Sequence, residues 1–199
     1  MRVFLNATAL STGIVGKLCV CLAYRVVSRD RYRGLYGTDT YDEYVDGFIS
    51  TVKPDILSYD CYPNPVKSEM DLFHFNLQLM RNKSLAAKIP LWTYIWLNSN
   101  GRGHGAGFYR WQLFIAAAHG VRAIMQWSLS PCANIHACGP RDRWAPYPCL
   151  LDKHGNQFKP VADMARVEHQ KLLALGPLLL EMTSVQVVSR RLTRTTSQC

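Results

Sequence analysis

The amino-acid sequence predicts an α/β fold on a parallel sheet, arranged as part of a (β/α)8 barrel. Short apolar runs begin near residues 55, 89 and 121, and each is typical of a buried strand. Segments with helical periodicity separate them. The resulting repeat of about 30 residues is the length that a strand, a helix and two loops require. Parallel strands with right-handed connections follow from this repeat.

The first repeat joins a capped helix to a strand that ends in an acid. Thr40 and Glu43 form a capping-box pattern, and apolar residues recur at helical spacing as far as Val52. The strand over residues 56–59 then runs into Asp60-Cys61-Tyr62-Pro63, which places a carboxylate and a phenol at its carboxyl end. In a barrel, that end of a strand is where ligands bind.

The later repeats follow the same order. Ser68 is predicted to open a second helix, and the apolar stripe of this helix is Met70, Phe73, Leu77, Met80 and Leu85. A strand over 89–96 precedes a glycine-rich loop over 98–107, and strand alternation places Trp92, Tyr94 and Trp96 on one face of the strand. A helix over 108–119, closed by Gly120, leads to a strand over 121–129. An irregular loop over 132–148 and a last helix over 158–175 complete the pattern.

Composition fits one sizeable core, since 48% of the 199 residues are hydrophobic. The net charge is +9, but the basic excess lies mostly near the two ends, so a nucleic-acid-binding surface is not predicted. The chain divides into a poorly defined segment over 1–37 (a fifth strand plus an insertion), a half-barrel over 38–187, and a basic tail over 188–199.

The cysteines and sequons leave the compartment open. Seven cysteines are an odd number, so at least one thiol is free or pairs with another chain. Cys132, Cys138 and Cys149 are candidates for a disulfide. Asn6 and Asn82 begin sequons that accept a glycan only in a secreted protein. Residues 3–24 resemble a poor signal peptide and are marginal as a membrane span.

Several ordered segments carry a resemblance to one protein family. Tyr44-Val45-Asp46 and the segment over 52–63, which ends Ser58-Tyr59-Asp60-Cys61-Tyr62-Pro63, resemble the sixth barrel strand and its approach in β-galactosidase-like glycoside hydrolases of the family 42 type. The resemblance continues through Ile89-Pro90-Leu91-Trp92, Arg110-Trp111-Gln112, Ala116-Ala117-Ala118-His119-Gly120-Val121, the strand ending at Trp127, and the helix over 163–175 with Gly176-Pro177-Leu178-Leu179. Residues 2–6 are similar to the fifth strand, and residues 11–35 match no family element.

The resemblance implies the carboxyl-terminal half of a barrel without its catalytic glutamates. The family's general acid/base glutamate follows an asparagine at the end of the fourth strand, and this sequence has no such position. The family's nucleophile ends the seventh strand, where this sequence has Trp96-Leu97-Asn98. A retaining glycosidase needs two carboxyl groups about 5–5.5 Å apart. The four glutamates, Glu43, Glu69, Glu168 and Glu181, all fall on predicted helices or helix starts.

A surface suited to sugars is nevertheless predicted at the strand ends. Asp60 is the candidate catalytic or ligand-binding acid, and the candidate substrate-binding residues are Tyr62, Trp92, Trp96 and Trp127. A sugar ring stacks on indole or phenol, and a carboxylate accepts from its hydroxyls. Simpler alternatives are that Asp60 caps the following loop and that Trp92 packs in the barrel core.

No metal or other cofactor is predicted. Cys132 and Cys138 are too widely spaced for a structural zinc site with His104 or His136, and the loop over 101–107 lacks the lysine of a phosphate-binding loop. Two functions from different classes stay open: a glycosidase-like half-barrel that binds a galactoside-type carbohydrate, and a non-catalytic interaction module or gene fragment. Self-association is expected because a half-barrel has open sheet edges.

Overall fold

The computed structural model describes residues 2–3, 18–22, 37–63, 66–97, 106–127, 150–151, 154–157 and 159–188. Within these ranges the chain forms strands and helices in an alternating order after residue 40. The strands are β1 (Arg2–Val3), β2 (Leu18–Leu22), β3 (Ile56–Asp60), β4 (Leu91–Trp96) and β5 (Ala123–Trp127). The helices are α1 (Tyr41–Val52), α2 (Lys67–Ala87), α3 (Ala106–Ala118) and α4 (Lys159–Glu181).

The sheet is parallel throughout its described strands, with the order β1-β5-β4-β3-β2. The register sets Asp60 beside Tyr94 and Trp96 beside Trp127, so the strands reach their carboxyl ends at one edge. Helix α2 connects β3 to β4, and helix α3 connects β4 to β5. The predicted α/β class with parallel strands is therefore confirmed.

The amino-terminal strands differ from the prediction. Residues 2–6 were assigned as the neighbour of the strand that ends at Asp60, but the strand beside β3 is β2. The strand β1 pairs with β5 at the other edge of the sheet. The continuous apolar run of β2 is typical of a strand buried in a parallel sheet, and the same hydrophobicity gave the signal-like pattern in the sequence.

Helix α1 begins where the capping box predicts. The hydroxyl of Thr40 accepts from the backbone N–H of Glu43 at 3.1 Å, and the Glu43 carboxylate accepts from the N–H of Thr40 at 3.2 Å. Tyr41 and Val45 are buried against the core. The helix ends at Lys53, whose φ of 50° is left-handed. Both ends of α1 are thus set by local chemistry.

Helix α2 starts earlier than predicted and turns a different stripe inward at its end. Val66 occupies the N-cap without a side-chain hydrogen bond, so Ser68 lies inside the helix. Leu85 is 48% exposed, while Ser84 is buried and its hydroxyl donates to the carbonyl of Ile89 at 2.6 Å. Ser84 lies four residues after Met80, so helical spacing turns Ser84 toward the core and leaves Leu85 outside.

Helix α4 continues past the predicted stop at Gly176 and Pro177. Proline removes one backbone donor, which leaves the carbonyl of Leu173 unpaired within the helix, but Leu173 is half-exposed and water can reach it. Beyond the proline, the guanidinium of Arg122 donates to the carbonyls of Leu179, Leu180 and Met182 at 3.0, 2.7 and 3.1 Å. These bonds satisfy the free carbonyls at the end of the helix.

The remaining predicted elements are confirmed with shorter or shifted bounds. Helix α3 ends at Ala118, and Gly120 follows with a φ of 78°, a conformation that favours glycine. Strand β5 stops at Trp127, and the predicted continuation to residue 129 lies outside the described residues. The loop over 132–148 and the cysteines in it also lie outside them.

The core lies between the sheet and the helices. It joins strand residues such as Leu57, Tyr59, Ile95 and Ile124 to helix residues, among them Val45, Phe73, Leu77, Met80, Leu113, Ala116 and Leu172. All of these side chains are buried, so one face of the sheet is the helix-facing side. Among the described residues, no helix is long and apolar enough to cross a membrane.

Candidate functional site

The strands present two different faces. Along β4 the residues alternate between buried and half-buried: Leu91, Thr93 and Ile95 are buried, whereas Trp92, Tyr94 and Trp96 are half-buried. Side chains alternate along a strand, so the second set lies on the face opposite the helices. The predicted grouping of Trp92, Tyr94 and Trp96 on one face is confirmed.

Three aromatic rings meet at the carboxyl edge of the sheet. The ring of Tyr62, two residues after β3, lies 5.7 Å from the ring of Trp96 and 6.5 Å from that of Trp127, between ring centroids. The interplanar angles are 47° and 41°, so the rings are tilted against each other and do not stack flat. Trp127 is 52% exposed and offers indole surface to solvent. Three residues selected from the sequence are therefore brought together.

Asp60 lies beside these rings and has an unusual carboxyl group. Burial raises its pKa above the ordinary value, and the hydrogen bond to its own backbone N–H offsets only part of this effect. Its charge in turn contributes to raising the pKa of Tyr62 and Tyr94, although burial is the larger cause for both. Among the described strand residues, Asp60 is the only carboxylic acid. We refer to Asp60, Tyr62, Trp96 and Trp127 as the aromatic site.

Tyr94 belongs beside this site, although it was not selected as a site residue from the sequence. It is the register partner of Asp60 on the neighbouring strand, and it is half-buried on the same face. Residues directly opposite in adjacent strands are the closest side-chain neighbours in a sheet. The alternation of aromatic residues in β4 places Tyr94 on this face from the sequence, but only the register of the strands shows that Tyr94 pairs with Asp60.

Trp92 is not part of the ring cluster. It lies four residues before Trp96 on the same face, a distance of about 13 Å along a strand. Its register neighbours are Ser58 and Ala123, both of them buried. The Ser58 hydroxyl has no hydrogen-bond partner among the described residues. This position is farther from the carboxyl edge, so Trp92 stands apart from the other candidates.

Cys61 is a structural thiol. Its sulfur is contacted by the side-chain N–H of Asn76 at 3.7 Å, and burial raises its pKa to about 12. A thiol with that pKa stays protonated at neutral pH and is a poor nucleophile. His74 lies elsewhere, between the rings of Trp111 and His119 at 5.8 and 5.6 Å. Among the described residues, Cys61 and His74 therefore form no nucleophilic pair.

Helix α3 supports the two tryptophans from behind the sheet. The backbone N–H of Trp96 donates to Oε1 of Gln112 at 3.1 Å, and Nε2 of Gln112 donates to the carbonyl of Trp96 at 3.2 Å. Next to Trp127, the amide of Gln126 donates to the hydroxyl of Tyr109 at 2.6 Å. These polar residues were not selected from the sequence. The sequence feature that could have pointed to them is Gln112, a polar residue among apolar residues on one face of a helix.

A buried histidine completes the second support. Nε2 of His169, on α4, lies 2.6 Å from the hydroxyl of Tyr109 and also contacts Nε2 of Gln126. Which of these groups donates depends on the tautomer of His169. Burial lowers the pKa of His169 and so favours the neutral imidazole. The network joins β5, α3 and α4 directly behind the aromatic site.

The glutamates are on helices, as predicted. Glu168 accepts from Nε and Nη2 of Arg110 at 2.8 and 2.6 Å, and from Nζ of Lys171 at 3.0 Å. These hydrogen bonds, of which those from Arg110 count most, lower the pKa of Glu168 to about 2. A carboxylate held in this way stays ionised and acts as an anchor between α3 and α4. It does not serve as a proton donor near neutral pH.

The described residues contain no group of three or more histidine, cysteine or acidic side chains that is able to hold a metal ion. The residues considered as metal ligands in the sequence, Cys132, Cys138, His104 and His136, lie outside the described residues. No protein-family model, no curated protein and no solved structure matches this chain.

Proposed function

We propose that this chain is a carbohydrate-binding half-barrel related to β-galactosidase-like glycosidases of the family 42 type. It binds a galactoside-type sugar at the aromatic site and does not hydrolyse it alone. On this proposal β2 to β5 correspond to strands five to eight of a (β/α)8 barrel, and the sugar lies at their carboxyl ends.

One observation carries the proposal: Tyr62 contacts both Trp96 and Trp127 beside the Asp60 carboxyl group, at the carboxyl edge of a parallel sheet. A pyranose has an apolar face that packs on an aromatic ring, and its hydroxyls need acceptors nearby. The half-exposed indole of Trp127 supplies the stacking surface. Asp60 supplies the charged acceptor, and the tilted rings restrict how a sugar can approach.

The carboxylates argue against hydrolysis by the described residues alone. Hydrolysis with retention needs one carboxylate to attack and a second carboxyl group to donate a proton. Asp60 is the only acid on the described strands, and Glu168 is committed to its ion pairs. A raised pKa would suit Asp60 to proton donation, but the partner nucleophile is missing from the ends of the described strands.

The test is a calorimetric titration of the 199-residue chain with methyl β-galactoside. We expect wild type to bind, Asp60→Asn to lose binding, and Trp96→Ala and Trp127→Ala to weaken it by about tenfold, the equivalent of one aromatic stacking contact. Phe75→Ala is the matched control, because Phe75 on α2 is 56% exposed, close to the 52% of Trp127.

Binding that is unchanged in both Asp60→Asn and Trp96→Ala would remove the proposed site. A wild-type chain that binds no galactoside at millimolar concentration would remove the proposed ligand. Loss of binding in Phe75→Ala would show that the assay reports general damage to the fold. Only the pattern of loss at the aromatic site with retention in the control supports the proposal.

A second candidate is an interaction module, and the surface of α4 favours it. The second half of this helix and the residues after it carry several exposed apolar side chains: Leu173, Leu175, Leu178, Leu180, Met182 and Val185. Exposed apolar surface of this kind is typical of a region that packs on another chain. Sedimentation of wild type and of Leu178→Glu tests it. A concentration-dependent assembly that is lost in the variant supports this function, and a monomeric wild type contradicts it.

A further inference from the structure

Within the described part of the chain, the end of β4 has no strand neighbour on the side of β3. The N–H of Leu97 donates to the carbonyl of Trp127 at 3.0 Å, so this residue is paired with β5. Backbone groups of successive strand residues point to alternate neighbours, and those of Trp96 therefore point toward β3. The ladder between β3 and β4 ends at Asp60 and Tyr94, two residues earlier. The backbone of Trp96 has lost its strand partner at the position where its ring enters the aromatic site.

Gln112 replaces that missing strand. Its primary amide has one acceptor and one donor side by side, and it binds the N–H and the C=O of Trp96 at 3.1 and 3.2 Å. The side chain is 1% exposed, so water does not compete for these two bonds. Of the common side chains, only an amide or a protonated carboxylic acid offers this pair of groups in one plane.

The position of Gln112 in α3 shows that the residue is not there for packing. It shares the sheet-facing side of the helix with Tyr109, Leu113 and Ala116, which are buried. A leucine would fill the same space without the cost of burying an amide. Among the described residues, the amide is compensated only through Trp96, whose ring lies 5.7 Å from that of Tyr62.

We propose that Gln112 is a positioning residue that sets the orientation of the Trp96 ring for ligand binding, acting through the Trp96 backbone. This inference rests on the proposed function for its ligand. The two hydrogen bonds between Gln112 and the Trp96 backbone, which we call the clamp, can be measured without a ligand. Gln112 touches no sugar. It fixes the φ and ψ of Trp96, and therefore the direction in which the indole leaves the strand.

The test uses three variants of the full chain. Gln112→Leu removes both bonds at similar volume. Gln112→Glu keeps the acceptor as a carboxylate, and it regains the donor when the carboxylic acid is protonated. Ser84→Ala is the control, because it removes another buried side-chain-to-backbone bond, from Ser84 to Ile89 at 2.6 Å, at the opposite end of β4.

Two measurements are made on each variant. Amide hydrogen exchange and ¹⁵N chemical shifts of Trp96 report the clamp without any sugar, and titration with methyl β-galactoside reports its use. For Gln112→Leu we expect exchange at Trp96 to be at least tenfold faster and the Kd to rise about tenfold. Ser84→Ala is expected to keep both within twofold. For Gln112→Glu, we expect the exchange rate at Trp96 and the Kd to approach the wild-type values as the pH falls. Each value is compared with that of wild type at the same pH.

An unchanged Trp96 amide signal in Gln112→Leu would overturn the clamp, whatever the sugar does. A disturbed Trp96 signal with an unchanged Kd would overturn its positioning role. If wild type binds no galactoside, the proposed function has failed. The exchange data and the acid recovery of Gln112→Glu then still decide the clamp. Equal loss of affinity in Ser84→Ala would assign the effect to general destabilisation and contradict the inference.

Discussion

Replacing Glu168 by glutamine tests the electrostatic link between α3 and α4. The carboxylate is 2% exposed and takes three hydrogen bonds from Arg110 and Lys171, which lower its pKa from 4.5 to about 2. A shift of that size corresponds to roughly 3 kcal/mol of stability at neutral pH. The two partner side chains are about half-exposed, so solvent screening reduces the expected loss in Glu168→Gln to about 1–2 kcal/mol.

The sign follows from proton linkage. A carboxyl group with a lowered pKa in the folded state contributes its full stability above its ordinary pKa of 4.5, and this contribution is lost as the pH falls toward 2. We therefore expect the difference in unfolding free energy between wild type and Glu168→Gln to be largest at about pH 6–7, well above the ordinary pKa of 4.5. The difference should vanish near pH 2, where the folded protein also takes up the proton. Urea unfolding at several pH values measures it. A difference that stays constant across the pH range would show that the ionised Glu168 carboxylate does not stabilise the fold.

Four further predictions follow from single positions. At pH 7 Asp60→Asn should unfold at a higher urea concentration than wild type while losing sugar binding. Burial raises the pKa of Asp60, so its charged form costs stability as the pH rises through that pKa. Equal stability of both proteins at pH 7 would contradict this. His169→Gln should reduce the loss of stability that wild type shows as the pH falls below about 6.5, since a buried neutral histidine takes up a proton when the protein unfolds. An unchanged dependence of stability on pH in this range would count against the network with Tyr109. Lys88→Gly should raise the unfolding free energy by about 0.5 kcal/mol, because Lys88 ends α2 at a φ of 57°, a left-handed conformation that glycine adopts without strain. An unfolding free energy no higher than that of wild type would show that the strain is absent. Thr40→Ala should lower it by about 1 kcal/mol through loss of the capping box, and thermal unfolding that matches wild type would disprove that role.

Local patterns were sufficient for much of the fold. The capping box at Thr40 fixed the start of α1 because the side chains that satisfy the first amides are three residues apart. Strand β3 was predicted to its last residue, because its apolar run is interrupted by Asp60 and then by Pro63. The alternation in β4 assigned its aromatic residues to one face before any neighbour was known.

Errors arose where distant contacts outweigh local preference. Gly176 and Pro177 predict a helix end, but α4 continues because Arg122 binds the carbonyls beyond them from the start of β5. The run of β2 suits a signal peptide as well as a buried strand, and only its pairing with β3 shows where this run lies in the fold. The error at Leu85 has a local cause, because Ser84 occupies the buried position four residues after Met80 and Leu85 falls outside the stripe.

The candidate site divides in the same way. The parallel α/β class and the presence of an acid and aromatic residues at strand ends are predictable from the sequence, because both depend on periodicity and on the residues that stop a strand. The contacts of Tyr62 with Trp96 and Trp127, the separation of Trp92 from them, and the bonds of Gln112 to the Trp96 backbone follow from the folded arrangement. Register and helix packing bring together residues that are far apart in the chain, and no local pattern encodes those distances.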